Sequence, residues 1–284
     1  MNNSTLRVIT HAILIIIFCL VAPQIWGVDT VLFEEDFEGV PLESSIKERI
    51  KDKKVWSGAP PDGWEITNEN PDDLGMPEWR TWAIVDLEWW TATAEDQRRS
   101  EFTGVHNDGK GKGKGAVSDP DEWDDWELNG DPDALSRWNG HLITPSIKIK
   151  GAAAESLILK LDSSWRPEDT QNGEITVSFD GGKEERILFF KSVGIDAGAH
   201  TLVTIPTLKL KEEKIDDGEQ INETLEIPID NPGGVAEMVI SFGVIDAQND
   251  WWWAIDNIQL VSTAYDVEPR DKLAVKWAEI KALQ

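Results

Sequence analysis

Ile175-Thr176-Val177-Ser178-Phe179-Asp180-Gly181-Gly182 alternates apolar and polar side chains, then stops at a turn signal. Alternation with period two puts one row of side chains on each face of a strand. Asp-Gly-Gly supplies residues that tolerate the left-handed backbone of a tight hairpin. The same pattern recurs on either side. Strands are expected at 31–38, 142–149, 157–162, 174–179, 186–190, 201–210, 225–229, 238–244 and 252–261. Asp216-Asp217-Gly218 and Asn231-Pro232-Gly233-Gly234 mark further turns. Many short strands without long helices between them imply an all-β fold, a two-sheet antiparallel jelly-roll sandwich. Between 45 and 140 the alternation lapses into sequence rich in Trp, Asp, Pro and Gly. It is expected as long loops with short strands, packed against one face.

The ends read differently. Residues 1–27 have the form of a signal peptide: Arg7, an apolar run at 12–22, Pro23, then small Gly27. The run is shorter than the ~20 residues that cross a bilayer. An uncleaved anchor is the alternative reading. Cleavage would leave no membrane span and a product that is secreted, held at the cell surface or periplasmic. The sandwich then occupies 28–264. Residues 265–284 place Leu273, Val275, Trp277, Ile280 and Leu283 at the spacing of a short amphipathic helix, suited to docking on the sandwich or on a protein partner.

Composition narrows the function. The 284 residues carry 27 Lys+Arg against 53 Asp+Glu, a formal charge of −26. Phosphate backbones would repel such a chain, which excludes non-specific nucleic-acid binding. The single cysteine, Cys19, lies in the leader, so disulfides and cysteine-ligated metals are excluded from the exported part. An exported chain without disulfides needs another source of stability, a large core or a bound metal. Lys110-Gly111-Lys112-Gly113-Lys114-Gly115 lacks the Ser/Thr and the following helix of a phosphate loop and reads as a surface tip.

Several segments together carry a resemblance: Glu35-Asp36-Phe37-Glu38, Asp62-Gly63-Trp64, Leu142-Ile143-Thr144-Pro145, Val177-Ser178-Phe179-Asp180-Gly181-Gly182 and Trp253-Ala254-Ile255-Asp256-Asn257-Ile258. In order and spacing they resemble the MAM-like, choice-of-anchor and cleaved-adhesin jelly rolls of secreted bacterial proteins. The stretches 89–102, 119–124, 162–168 and 249–253 are similar to a domain found fused to calcineurin-like metallophosphoesterases. That enzyme's Asp-x-His and Gly-Asn-His-Asp sets do not occur here. The resemblance therefore implies a non-catalytic accessory module for carbohydrate or matrix recognition or adhesion, with a scaffolding subunit as the alternative.

Glu34, Asp36 and Glu38 share one face of the first strand, about 6.5–7 Å apart. Carboxylates so placed repel one another unless a cation lies between them. The resemblance implies a structural calcium held by Asp36 and Glu38 with Asp256 and Asn257, and with Glu34 as a further ligand. Calcium takes six to eight oxygens, so backbone carbonyls would complete the shell. The alternative is a solvated acidic edge strand. Glu34-x-Asp36-x-Glu38 also has the spacing of a retaining glycosidase's acids, a less favoured reading at this position. The loop 119–133 holds further acids and misses the calcium-loop template at Trp123. Its alternative is to pair with Arg98 and Arg99.

Fifteen tryptophans are many for this length. Sugar rings dock their C–H faces on exposed indoles, so Trp251, Trp252, Trp89 and Trp90, with Arg98 and Arg99 beside them, are the expected ligand-binding set for a polysaccharide or cell-surface glycan. The alternative is that these indoles fill the core and brace the long loops.

Overall fold

The computed structural model describes residues 29–69, 75–93, 95–103, 110–125, 137–168, 170–194, 200–209, 213–215, 220–248 and 250–264. The expected leader and the expected C-terminal helix lie outside the described residues. In chain order the first strands are β1 (Thr30–Glu35), β2 (Trp56–Ser57), β3 (Glu65–Asn68), β4 (Trp82–Asp86) and β5 (Lys114–Ser118). Then come β6 (Trp138–Ile143), β7 (Ile147–Lys148), β8 (Leu157–Trp165), β9 (Asn172–Phe179) and β10 (Glu185–Val193). The last are β11 (His200–Thr204), β12 (Glu213–Ile215), β13 (Ile221–Ile229), β14 (Glu237–Ala247) and β15 (Trp253–Ser262).

These strands form two antiparallel sheets, a jelly-roll sandwich. One sheet runs β13-β8-β15-β5-β4-β2, with β1 also paired to β15; the other runs β12-β11-β10-β9-β14-β6-β3, with β7 also on β14. Alternation decides which side chains face inward. Ile175 and Val177 of β9 are buried against Ile240 and Phe242 of β14, while Ser178 stays partly exposed. The Asp180-Gly181 turn has φ of 49° and 68°, the left-handed pair that matches a hairpin's twist.

The region from 45 to 140 departs in part from expectation. The expected short strands are there, since β4 and β5 extend the first sheet and β3 edges the second, but short helices join them. Three short helices, α1 (Leu87–Thr93), α2 (Ser100–Thr103) and α3 (Pro120–Asp124), cover one end. The reason is tertiary. Ala116 and Val117 of β5 pair with β4 on one side and β15 on the other, so a segment too short to signal a strand alone is held as one. Asp119 caps α3, accepting the Glu122 N–H, with Pro120 at its first position.

Tryptophan dominates the interior. Trp165 stacks on Phe190 at 5.3 Å and meets Trp253 edge-on at 5.9 Å; Trp82 lies against Trp253 at 5.6 Å. Each buried indole needs a partner for its N–H. Trp253 donates to the Ser163 hydroxyl at 3.0 Å, Trp252 to Ser164 at 3.1 Å and Trp165 to Thr201 at 2.9 Å. Truncating such a side chain typically costs about 3–5 kcal/mol. Trp165→Ala is expected to lower the thermal midpoint by about 10 °C. The half-buried Trp251→Ala is expected to lower it by less than half as much, both read by calorimetry.

Candidate functional site

The site grows from an irregularity in β15. Asp256 pairs with Asp162 and Gln259 with Lys160, so two residues of β15 stand opposite Leu161 alone. The extra residue makes a bulge, and Asn257 takes it up with φ of 51°. Its side chain turns to solvent while Ile258 returns to the core. At the same place β15 changes its second partner: Trp253–Ile255 pair with β5, and Ile258–Ser262 pair with β1.

A network of side chains spans this junction. Thr224 of β13 donates its hydroxyl to Asp162 Oδ1 at 2.6 Å, and Asn257 Nδ2 donates to Asp162 Oδ2 at 3.0 Å. Lys110 reaches Thr224 Oγ1 with its Nζ at 2.8 Å. The Lys-Gly tip is clamped onto the junction by its backbone. The Lys112 N–H donates to Asp256 Oδ2 at 3.1 Å, and the Lys114 N–H donates to Glu38 Oε1 at 2.8 Å. Gly113 is required there: its φ is 67°, and an added Cβ would lie 2.0 Å from Glu38 Oε1.

Beside the network, on the same sheet face, is a cavity of about 630 Å³. Glu34, Glu35, Asp36, Lys160, Asp162, Thr224, Asn257 and Gln259 give it polar walls, and Leu161 and Ile258 beneath them are buried. Its volume is that of a small-molecule or oligomer subsite. Glu34 and Gln259 are cross-strand partners in register. Among the described residues their side chains bond to nothing in the protein, although both line the cavity.

The expected calcium ligands are only partly brought together. Asp256, Glu38 and Asn257 gather at the tip, and Glu34 and Asp36 lie towards the cavity. Several of their oxygens are already used. Asp256 accepts the Lys112 and Asn257 N–H groups, and Asp36 Oδ1 accepts the Glu38 N–H. Among the described residues no three Asp, Glu, His or Cys side chains group as a metal site. As arranged, this donor set does not fit a calcium cage. Amide N–H groups of the Lys-Gly tip stand where the cation was expected. Nor do Glu34 and Glu38 converge as a catalytic pair, because Glu34 lines the cavity and Glu38 is tied to Lys114.

The expected tryptophan platforms need correction. Trp90 and Trp252 are completely buried, and Trp89 is buried against Trp79, stacked at 5.5 Å. No sugar can lie on an indole without an open face. The reason is Arg99, itself fully buried. Its guanidinium sits 5.1 Å from the Trp90 ring centre and 5.0 Å from that of Trp252. It donates to Glu122 Oε1 at 3.0 Å and is ion-paired with Asp119 Oδ2 at 2.8 Å. Arg98 instead points outward and pairs with Glu101 at 2.7 Å. Trp251 is half-buried, with the Arg166 guanidinium 3.6 Å over its ring. Trp89, Trp90, Trp252 and Arg99 are thus spent on bracing the end of the sandwich, as the alternative reading had it, while Arg98 and Trp251 keep some exposed surface.

Several carboxyls are held above their usual range. Burial pushes Asp256 up to about 7, and the charges of Asp162 and Glu38 add to this against two N–H bonds that oppose it. Around Arg99, burial pushes Asp121 up to about 6 and Glu122 up to about 8. Asp124 rises to about 7, again chiefly by burial.

No protein-family model matches the chain, and no curated protein matches it. Solved structures of similar build include a carbohydrate-binding module in complex with β-1,4-galactotriose. It shares 12% identity at a TM-score of 0.36, covering 71% of this chain and 89% of that one. Another is the K1 cleaved adhesin domain of Lys-gingipain from Porphyromonas gingivalis W83, with 12% identity, a TM-score of 0.39, and 80% and 96% covered. A Stig cyclase from Fischerella sp. TAU is 8% identical at a TM-score of 0.40, over 84% and 100%. Binding modules and an enzyme score alike, so these likenesses do not choose a function.

The raised carboxyls set a direction for stability. A carboxyl whose folded pKa exceeds its unfolded value binds its proton more tightly when folded. Stability then falls as pH rises between the two values. For Asp256 that window runs from 3.8 to about 7, and for Glu122 from 4.5 to about 8. The thermal midpoint is expected to rise by about 3 °C or more when pH is lowered from about 8 to about 5. Asp256→Asn should flatten part of that slope, read by calorimetry across the range.

Proposed function

We propose that this protein is an exported, non-catalytic binding module for polysaccharide or cell-surface glycan, and that the cavity between β1, β8, β13 and β15 receives the sugar. The observation that carries the reading is the cavity's lining. Glu34 and Gln259 present a carboxylate and an amide with no partner among the described residues, beside Lys160 and Asp36. A sugar hydroxyl both donates and accepts, and paired carboxylate and amide side chains satisfy both roles. The network through Thr224, Asp162 and Asn257 is already bonded, so it holds the wall in place and little ordering is left for the ligand to impose.

Export follows from the leader-like start of the chain. Calcium is not part of the proposal, since Asp36, Glu38 and Asp256 accept backbone N–H groups and, among the described residues, no three carboxylates group as a metal site.

The test is a glycan and polysaccharide screen on the purified protein, followed by calorimetric titration of the hits. Glu34→Ala and Gln259→Ala are expected to weaken binding about tenfold each, the loss of one good hydrogen-bonding partner, with the thermal midpoint unchanged. Added calcium is expected to change neither affinity nor midpoint. Binding that survives both substitutions would remove the cavity from the proposal, and a protein that bound no glycan would sink it.

A further inference from the structure

The cavity's charge separates classes of sugar. Its lining holds four carboxylates, Glu34, Glu35, Asp36 and Asp162, against one ammonium, Lys160. That ammonium is already spoken for: Lys160 Nζ lies 3.6 Å from Glu226 and 3.8 Å from Asp29. The other nearby cation, Lys110, is bonded to the Thr224 hydroxyl. Glu38 and Asp256 stand close enough behind the wall for their charges to act on each other. No free positive group in the described lining is left to receive an anion. A uronate, sulfate or phosphate would meet a negative wall on a chain of net charge −26.

An ammonium meets the opposite case. Glu34 has no partner among the described residues and faces the cavity beside the amide of Gln259. Asp36 follows the last residue of β1, two positions on from Glu34, and also lines the cavity. Asp36 spends one oxygen on the Glu38 N–H. The groove thus offers hydroxyl-type partners and unneutralised carboxylates side by side. Resting on the glycan reading above, we infer that the preferred ligand is an amino sugar polymer with free amines, the hydroxyls read by Gln259 and the ammonium groups by Glu34 and Asp36.

Matched glucosamine oligomers decide it, because N-acetylation removes the charge and leaves the ring. Binding of equal-length deacetylated and N-acetylated oligomers is measured by calorimetry, with neutral β-glucan and alginate oligomers and spermidine as further arms. The deacetylated oligomer is expected to bind about tenfold more tightly than its acetylated twin. That advantage should shrink at about 1 M salt, where screening acts within about 3 Å. Glu34→Gln and Asp36→Asn keep shape and lose charge, so each should reduce the advantage without moving the thermal midpoint. Equal binding of the two oligomers, or tighter binding of alginate, overturns this inference and leaves the glycan reading standing. Spermidine binding as tightly as the oligomer overturns it too, since charge alone would then suffice. Failure of every sugar would instead overturn the glycan reading itself.

Discussion

The structure turns on the change of partner along β15. For its first three residues this strand has β5 at its side, and after the bulge it has β1. Two strands that share one edge cannot both occupy the switch point. The gap between them exposes the outward side chains of β8 and β15 and leaves backbone to be covered. The Lys-Gly tip covers part of it, and the cavity is what remains. Asn257, in its left-handed conformation, absorbs the extra residue that the change requires. Cavity, clamp and raised Asp256 are therefore consequences of one irregularity in pairing.

The other end of the sandwich answers to a different constraint. A fully buried guanidinium must be bonded and its charge balanced. Arg99 meets most of this with Asp119 and Glu122, with the Trp90 carbonyl and Thr93 hydroxyl at 3.2 Å, and with two indole faces, while its Nε bonds to none of the described residues. Burial is the main reason the neighbouring acids hold protons at higher pH than usual, and repulsion among the carboxylates adds to it. Such a centre is poor evidence of net stability, since desolvation offsets much of the attraction. Its geometry nevertheless ties α1, α2, α3 and the approach to β15 into one unit.

The strands with clear alternation were legible, because one buried face imposes period two and turns carry Asp and Gly. β9, β14 and the Asp180-Gly181 hairpin are of this kind. β4 and β5 were not, because their side chains are buried with little alternation and Ala116-Val117 is too short to signal a strand. At the site, Glu34, Asp36 and Asn257 were read from the acidic first strand and the closing Ile-Asp-Asn-Ile. Asp162, Thr224 and Gln259 were missed, since only cross-strand register brings them there. The tryptophan reading failed for a physical reason: a count of indoles says nothing of which ones an arginine will cover. The adjacency of Arg98-Arg99 to Trp89-Trp90 did contain the stacking and forking that Arg99 makes.

The indoles of the interior are close enough to one another to have a further consequence. Trp253 lies within 6 Å, ring to ring, of both Trp82 and Trp165, as Trp90 does of Trp252. Excited-state energy passes readily between aromatic rings at such separations. Light absorbed by one indole is shared with its neighbours before it is emitted. The intrinsic fluorescence of this protein therefore reports on the core as a collective, and a change in its colour or yield belongs to no single tryptophan.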